Sequence, residues 1–134
     1  MKKPIMLGTI VLLCACATTS DQHITDAVTD FIQVAELTPE NTIRIRRGYN
    51  YTVISQRYVT LKSHNDYYLA EFTRDCRELD DQTRVPPDYR YDANVLRARF
   101  DTIRGCRIAK LYPIEEWQAE ELKDLGDAPG DQFR

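Results

Sequence analysis

Five apolar positions, Ile24, Ala27, Val28, Phe31 and Ala35, recur at helical spacing within residues 23–37, with polar residues between them. A single stripe of this kind predicts an amphipathic helix packed on the core of its own domain. Asp21 or Thr25 is placed to cap its start, and Pro39 stands just past its end. Beyond Pro39 the period changes to two. Ile43 and Ile45 alternate with Thr42, Arg44 and Arg46, as in a half-buried strand. Two runs rich in β-branched and aromatic residues follow, 51–54 and 58–61, divided by the polar bend Ser55-Gln56-Arg57. Ser63-His64-Asn65-Asp66 has turn chemistry and joins the second run to residues 67–72 as a hairpin. Residues 79–94, with Asp80-Asp81 and Pro86-Pro87, read as an irregular surface loop.

Alternation returns in residues 95–100, which predicts Leu96, Ala98 and Phe100 on one face and Arg97 and Arg99 on the other. A last strand is expected over 106–112. Pro113 then opens a helix over 114–125 with Ile114, Trp117, Glu121, Leu122 and Leu125 along one side and Gly126 at its C-cap. The fold class expected is α+β: a small curled antiparallel sheet of about five strands with an N-terminal and a C-terminal helix.

The chain of 134 residues is 43% hydrophobic and 29% charged, which excludes a wholly disordered or fibrous protein. Its first residues belong to a different class of sequence. Lys2 and Lys3 precede a mostly apolar run over 5–13, too short to span a membrane but of the length of a signal-peptide core. The run ends in Leu13-Cys14-Ala15-Cys16. This tetrad resembles the lipobox of bacterial lipoproteins, which implies cleavage after Ala15, diacylglycerol on the Cys16 sulfur and a further acyl chain, palmitate being typical. Two or three acyl chains anchor firmly where one does not. Ala17 next to the anchor points to the periplasmic face of the outer membrane. The organisation expected is a removed signal over 1–15, a lipidated cysteine and tether over 16–22, one domain over 23–126 and a flexible tail over 127–134.

Processing changes the cysteine count. Cys14 leaves with the signal and Cys16 is acylated, so only Cys76 and Cys106 remain. An even pair in an oxidising compartment points to a disulfide. Redox catalysis would call for Cys-x-x-Cys spacing, and a zinc site would need two ligands besides the cysteines, for which only His23 and His64 exist, neither with ligand spacing.

Three segments carry a resemblance to a known group: Cys76-Arg77-Glu78-Leu79, Tyr68-Leu69-Ala70-Glu71-Phe72, and the stretch 96–112 from Leu96-Arg97-Ala98-Arg99-Phe100 through Gly105-Cys106 to Leu111-Tyr112. Over residues 24–130 the chain resembles a family of small proteobacterial lipoproteins catalogued as a domain of unknown function. The resemblance implies a two-cysteine frame around a mostly β core, which supports pairing Cys76 with Cys106. It implies no reaction.

Charge is uneven. Arg44, Arg46, Arg47, Arg57 and Lys62 fall in a segment without acids, interleaved with Tyr49, Tyr51 and Tyr58, whereas the C-terminal segment is acidic. In the cytoplasm the first pattern would suggest nucleic acid. Export and a net charge of −3, more negative once Lys2 and Lys3 are removed, argue against it. Two expectations follow: a solvated sheet face, or a basic, tyrosine-rich face for an anionic cell-wall or lipid component. Arg77, Arg97, Arg99, Arg104 and Arg107, with Glu78 and Asp101, surround the cysteine frame as an ion-pair network or an anion site. No Gly-x-Ser-x-Gly elbow, phosphate loop or metal box occurs, and His64 falls in the predicted turn. The function expected is a non-catalytic outer-membrane lipoprotein contacting another envelope component, with no cofactor or metal. The alternative is a periplasmic module binding an anionic ligand. An envelope hydrolase using His64 is the remaining class.

Overall fold

The computed structural model describes residues 20–46, 48–80 and 92–127. The predicted signal and Cys16, Arg47, most of the predicted loop and the last seven residues lie outside these. The architecture is α+β. Helix α1 is Ser20–Val34. Among the described residues seven strands follow, β1 Thr42–Arg44, β2 Asn50–Val53, β3 Tyr58–Ser63, β4 Asp66–Phe72, β5 Val95–Arg97, β6 Thr102–Ile103 and β7 Cys106–Ile114, and then helix α2, Glu116–Gly126. Five strands form one antiparallel sheet in the order β2-β3-β4-β7-β6, and β1 pairs with β5 in a separate two-stranded ribbon.

The sheet is the middle of three layers. On one face Ile54, Tyr58, Leu69 and Tyr112 pack against Ile24 and Val28 of α1 and Leu122 of α2. On the other, Val59, Leu61, Ala70, Phe72, Ile108 and Leu111 pack against Ile43, Ile45, Leu96 and Ala98 of the ribbon and against both cysteines. Because β3 is covered on both faces, four of its residues in succession are buried, as in the central strands of layered folds. β1 lies in an outer layer and keeps the alternation read from sequence, with Ile43 and Ile45 buried and Arg44 and Arg46 exposed.

Local chemistry shifts several boundaries. α1 begins at Ser20, three residues earlier than expected, so Asp21 lies in its first turn. There its carboxylate accepts the Gln56 backbone N–H at 3.0 Å, fastening the helix to the bend between β2 and β3 instead of capping it. At the other end Glu36 takes a left-handed φ of 51°, and the Leu37 N–H reaches back to the Ile32 carbonyl at 3.1 Å, a Schellman-type closure without glycine. The predicted hairpin forms, with Ser63 paired to Asp66 around His64-Asn65 and His64 at φ 58°.

Four expectations are corrected. The alternation after Leu96 stops at Ala98, because Arg99 turns into left-handed backbone at φ 71°. Phe100 is consequently 69% exposed, and Asp101 is buried in its place, accepting the Arg97 N–H at 2.7 Å. Pro113 does not open the second helix. β7 continues through Ile114, with Pro113 opposite Tyr68, and α2 starts after Glu115, whose side chain forms a capping box with Gln118. Trp117 therefore points outward at 63% exposure, and Gln118, Ala119 and Leu122 form the buried side. Gly126 is the last helical residue, and Asp127 is the C-cap. A Cβ on Gly126 would stand 3.1 Å from the Ile54 carbonyl oxygen, so this position is small because backbones meet there.

The expected disulfide is present between Cys76 and Cys106, which are 30 residues apart. Cys106 opens β7 and Cys76 lies four residues past the end of its neighbour β4, so the bond ties the same end of a central strand pair. Closing a loop of this length stabilises by about 3.5–4 kcal/mol in the chain-entropy model. Cys76→Ser, Cys106→Ser and the double variant should each lose a few kcal/mol in denaturant unfolding, and reductant should reproduce the loss in the wild type. Equal midpoints with and without reductant would show that the bridge contributes nothing.

Candidate functional site

The basic, tyrosine-rich face expected from sequence is not assembled. Arg44 and Arg46 point outward from the ribbon layer. Arg57 sits at the bend, with its guanidinium 3.6 Å from Asp75. Lys62 lies near the opposite end of β3 and on the helix-covered side of the sheet, since it shares its face with Tyr58 and Thr60. Arg47 lies outside the described residues. Tyr49 packs on the ribbon-side core and Tyr51 stands at the β2 edge. Tyr58 is buried on the helix side, with its hydroxyl 3.2 Å from that of Thr29. A period-two strand sends neighbouring residues to opposite faces, and the bend between β2 and β3 carries Arg57 away from Lys62.

Around the disulfide, the arginines are partly committed to protein groups. Arg74 grips the Glu78 carboxylate at 2.7 and 3.2 Å, and that contact holds the Glu78 carboxyl below its ordinary range. Arg104 donates to the Glu78 carbonyl at 3.2 Å, and Arg97 lies 3.7 Å from buried Asp101. A Glu78 oxygen approaches the Cys106 sulfur at 3.2 Å, so Cys76, Glu78 and Cys106 form a tight donor cluster. Both sulfurs are consumed by the bridge, which leaves no thiolate to ligate a metal. His23 on α1 and His64 in the hairpin turn are both exposed on separate elements.

The structure brings together a different set. Where α2 crosses the β2–β3 side of the sheet, Asn50, Thr52, Thr60, Lys62 and Tyr67 face Ala119, Glu120 and Lys123 across a recess of about 220 Å³. Register explains the strand half, because Asn50 pairs with Lys62, Thr52 with Thr60 and Lys62 with Tyr67, placing all five on one face. Helix geometry explains the rest, since 119, 120 and 123 lie within one turn on one side. The Lys62 ammonium lies 5.4 Å over the Tyr67 ring, whose hydroxyl donates to Glu116 at 3.1 Å. Of this set sequence reading had singled out only Lys62 as a binding residue. Lys123, standing alone among acids on α2, was the available signal for the rest.

A family model matches residues 1–128; its description is a family of unknown function, DUF6491. The chain belongs to that family. The DUF6491 match takes in both helices, every strand, both bridged cysteines and all residues of the recess. No curated protein and no solved structure matches the chain.

The helix-side core also carries the strongest perturbed ionisation. Burial, with Glu71 nearby, pushes Tyr112 up to about 12. In the unfolded chain its phenol would ionise near 10. Between those values the unfolded state holds fewer protons, so stability falls as pH rises from about 10 to about 12. The Tyr112→Phe variant should lack this part of the alkaline loss, worth about 2 kcal/mol at pH 12. Chemical denaturation of the two proteins at pH 9 and at pH 11–12 measures it, and parallel curves would contradict the assignment.

Proposed function

We propose that this DUF6491 protein is a lipid-anchored, non-catalytic component of the Gram-negative envelope, held at the periplasmic face of the outer membrane and working through contact with another envelope component. The observation that carries this is the tetrad Leu13-Cys14-Ala15-Cys16, with only three residues between Cys16 and the first residue of a packed helix. Four Cα steps at full extension reach about 14 Å. An anchor on Cys16 therefore keeps the N-terminal end of α1 close to the headgroups. The buried disulfide fits an oxidising compartment. A second reading, a module that binds an anionic ligand, gains support from the recess under α2 and loses it from the dispersal of the arginines.

The test is metabolic labelling with an alkynyl fatty acid, followed by membrane fractionation and in-cell crosslinking. The wild type should take up label and sediment with outer membrane, whereas Cys16→Ser should be unlabelled and mislocalised while keeping the fold. Capture of one envelope protein in near-equal amount, lost in Cys16→Ser, would name the partner. An unlabelled, freely soluble wild type would end this proposal.

A further inference from the structure

We propose that the recess between α2 and the β2–β3 face is a binding site for a phosphate group borne on a small hydroxylated molecule. Two lysines line it from different elements, Lys62 from β3 and Lys123 from α2. Neither forms an ion pair with another described residue; Lys62 has the Tyr67 ring beside it, and Lys123 follows directly on the fully buried Leu122, which fixes where its side chain leaves the helix. A like-charge pair left facing a shared space favours an anion between them.

The second observation is Thr60. The residue as a whole is more than nine-tenths buried, it lines the recess, and its hydroxyl makes no hydrogen bond to another described residue. Its hydroxyl oxygen stays open to the recess, so it is available to bond to a group that enters. Thr52 lies directly across from it in the β2–β3 register and supplies a second hydroxyl.

The donor inventory selects the ligand. Ammonium groups donate and cannot accept, which matches a group rich in acceptor oxygens and repels a cation. Lysine acts as a compact point charge, suited to the tetrahedral oxygens of phosphate, whereas a planar carboxylate is better met by an arginine fork. About 220 Å³ holds a phosphate with a few atoms attached or several waters, each about 30 Å³ in the liquid. Glu120 is the one carboxylate in the lining and is exposed, so it can accept from a hydroxyl on the part of the ligand that projects to solvent. The phosphate could come from a soluble ester or from a lipid headgroup.

The full chain, acylated and in non-ionic detergent, is titrated with inorganic phosphate and with glycerol phosphate, and in phosphatidylcholine vesicles with and without phosphatidic acid. Amide shifts at Thr52, Thr60, Lys62 and Lys123 are followed. Saturable binding of a soluble probe, or of phosphatidic acid alone, supports the site and tells the two sources apart. The Lys62→Met/Lys123→Met double variant should bind about tenfold or more weakly. Thr60→Val, which keeps the side-chain shape, should weaken binding severalfold, and Arg44→Met on the opposite layer should leave it unchanged. The same titration with soluble probes on Cys16→Ser should give the wild-type constant, so failure of anchoring and failure of this site are read separately. Unchanged affinity in the folded double variant, or no binding of any probe by the wild type, would overturn the proposal.

Discussion

The pairing of β4 with β7 holds the rest of the molecule in place. From Tyr67 opposite Ile114 to Phe72 opposite Ile108 the two strands run side by side through the middle of the sheet. Leu69 and Tyr112 face the helices, while Ala70, Phe72, Ile108 and Leu111 face the ribbon, so one strand pair is shared by both cores. A bulge between Glu71 and Phe72 shifts the register at the end where the disulfide closes. There the Thr73 N–H still reaches the Arg107 carbonyl at 3.0 Å, and the Cys76 N–H reaches the Gln56 carbonyl at 2.7 Å. Removing the alignment of this pair would leave α1, α2 and the ribbon without a common surface to cover.

What sequence could tell depended on how many sides of an element are covered. β1 has one buried side, and the spacing of Ile43 and Ile45 declared it. β3 has two, so Tyr58, Val59, Thr60 and Leu61 are all buried and the run carries no face information. The misplacement of Phe100 came from backbone: alternation assumes extended residues, and Arg99 at φ 71° is not extended. Trp117 is misplaced because the expected side is drawn through Ile114, which ends β7 and does not belong to the helix; the buried side of α2 keeps Leu122 but runs through Gln118 and Ala119 in place of Trp117. The disulfide was legible because the expected processing leaves a single pair of cysteines, Cys76 and Cys106. The recess was not, since Lys62 and Lys123 are 61 positions apart and only the docking of α2 makes them neighbours. Clustering of arginines in sequence misled for the converse reason, because a bend and a change of layer separate Arg44 and Arg46 from Arg57.

The groups with shifted ionisation are buried tyrosines and an arginine–glutamate contact, each accounted for by packing or by its partner. In the recess, by contrast, the polar groups are spread over three strands and a helix, and the described residues show few bonds among them.

The first turn of α1 has a mechanical consequence. Asp21 holds Gln56, the Gln56 carbonyl holds Cys76, and Cys76 is covalently bound to Cys106 at the start of β7. A pull applied upstream of Ser20 therefore passes along a short relay into a covalent link across the two central strands. Thr25 and Thr29, bonded to Ser55 and Tyr58, spread the same load along β3 as shear, and a helix loaded in that way resists being peeled from the sheet one turn at a time.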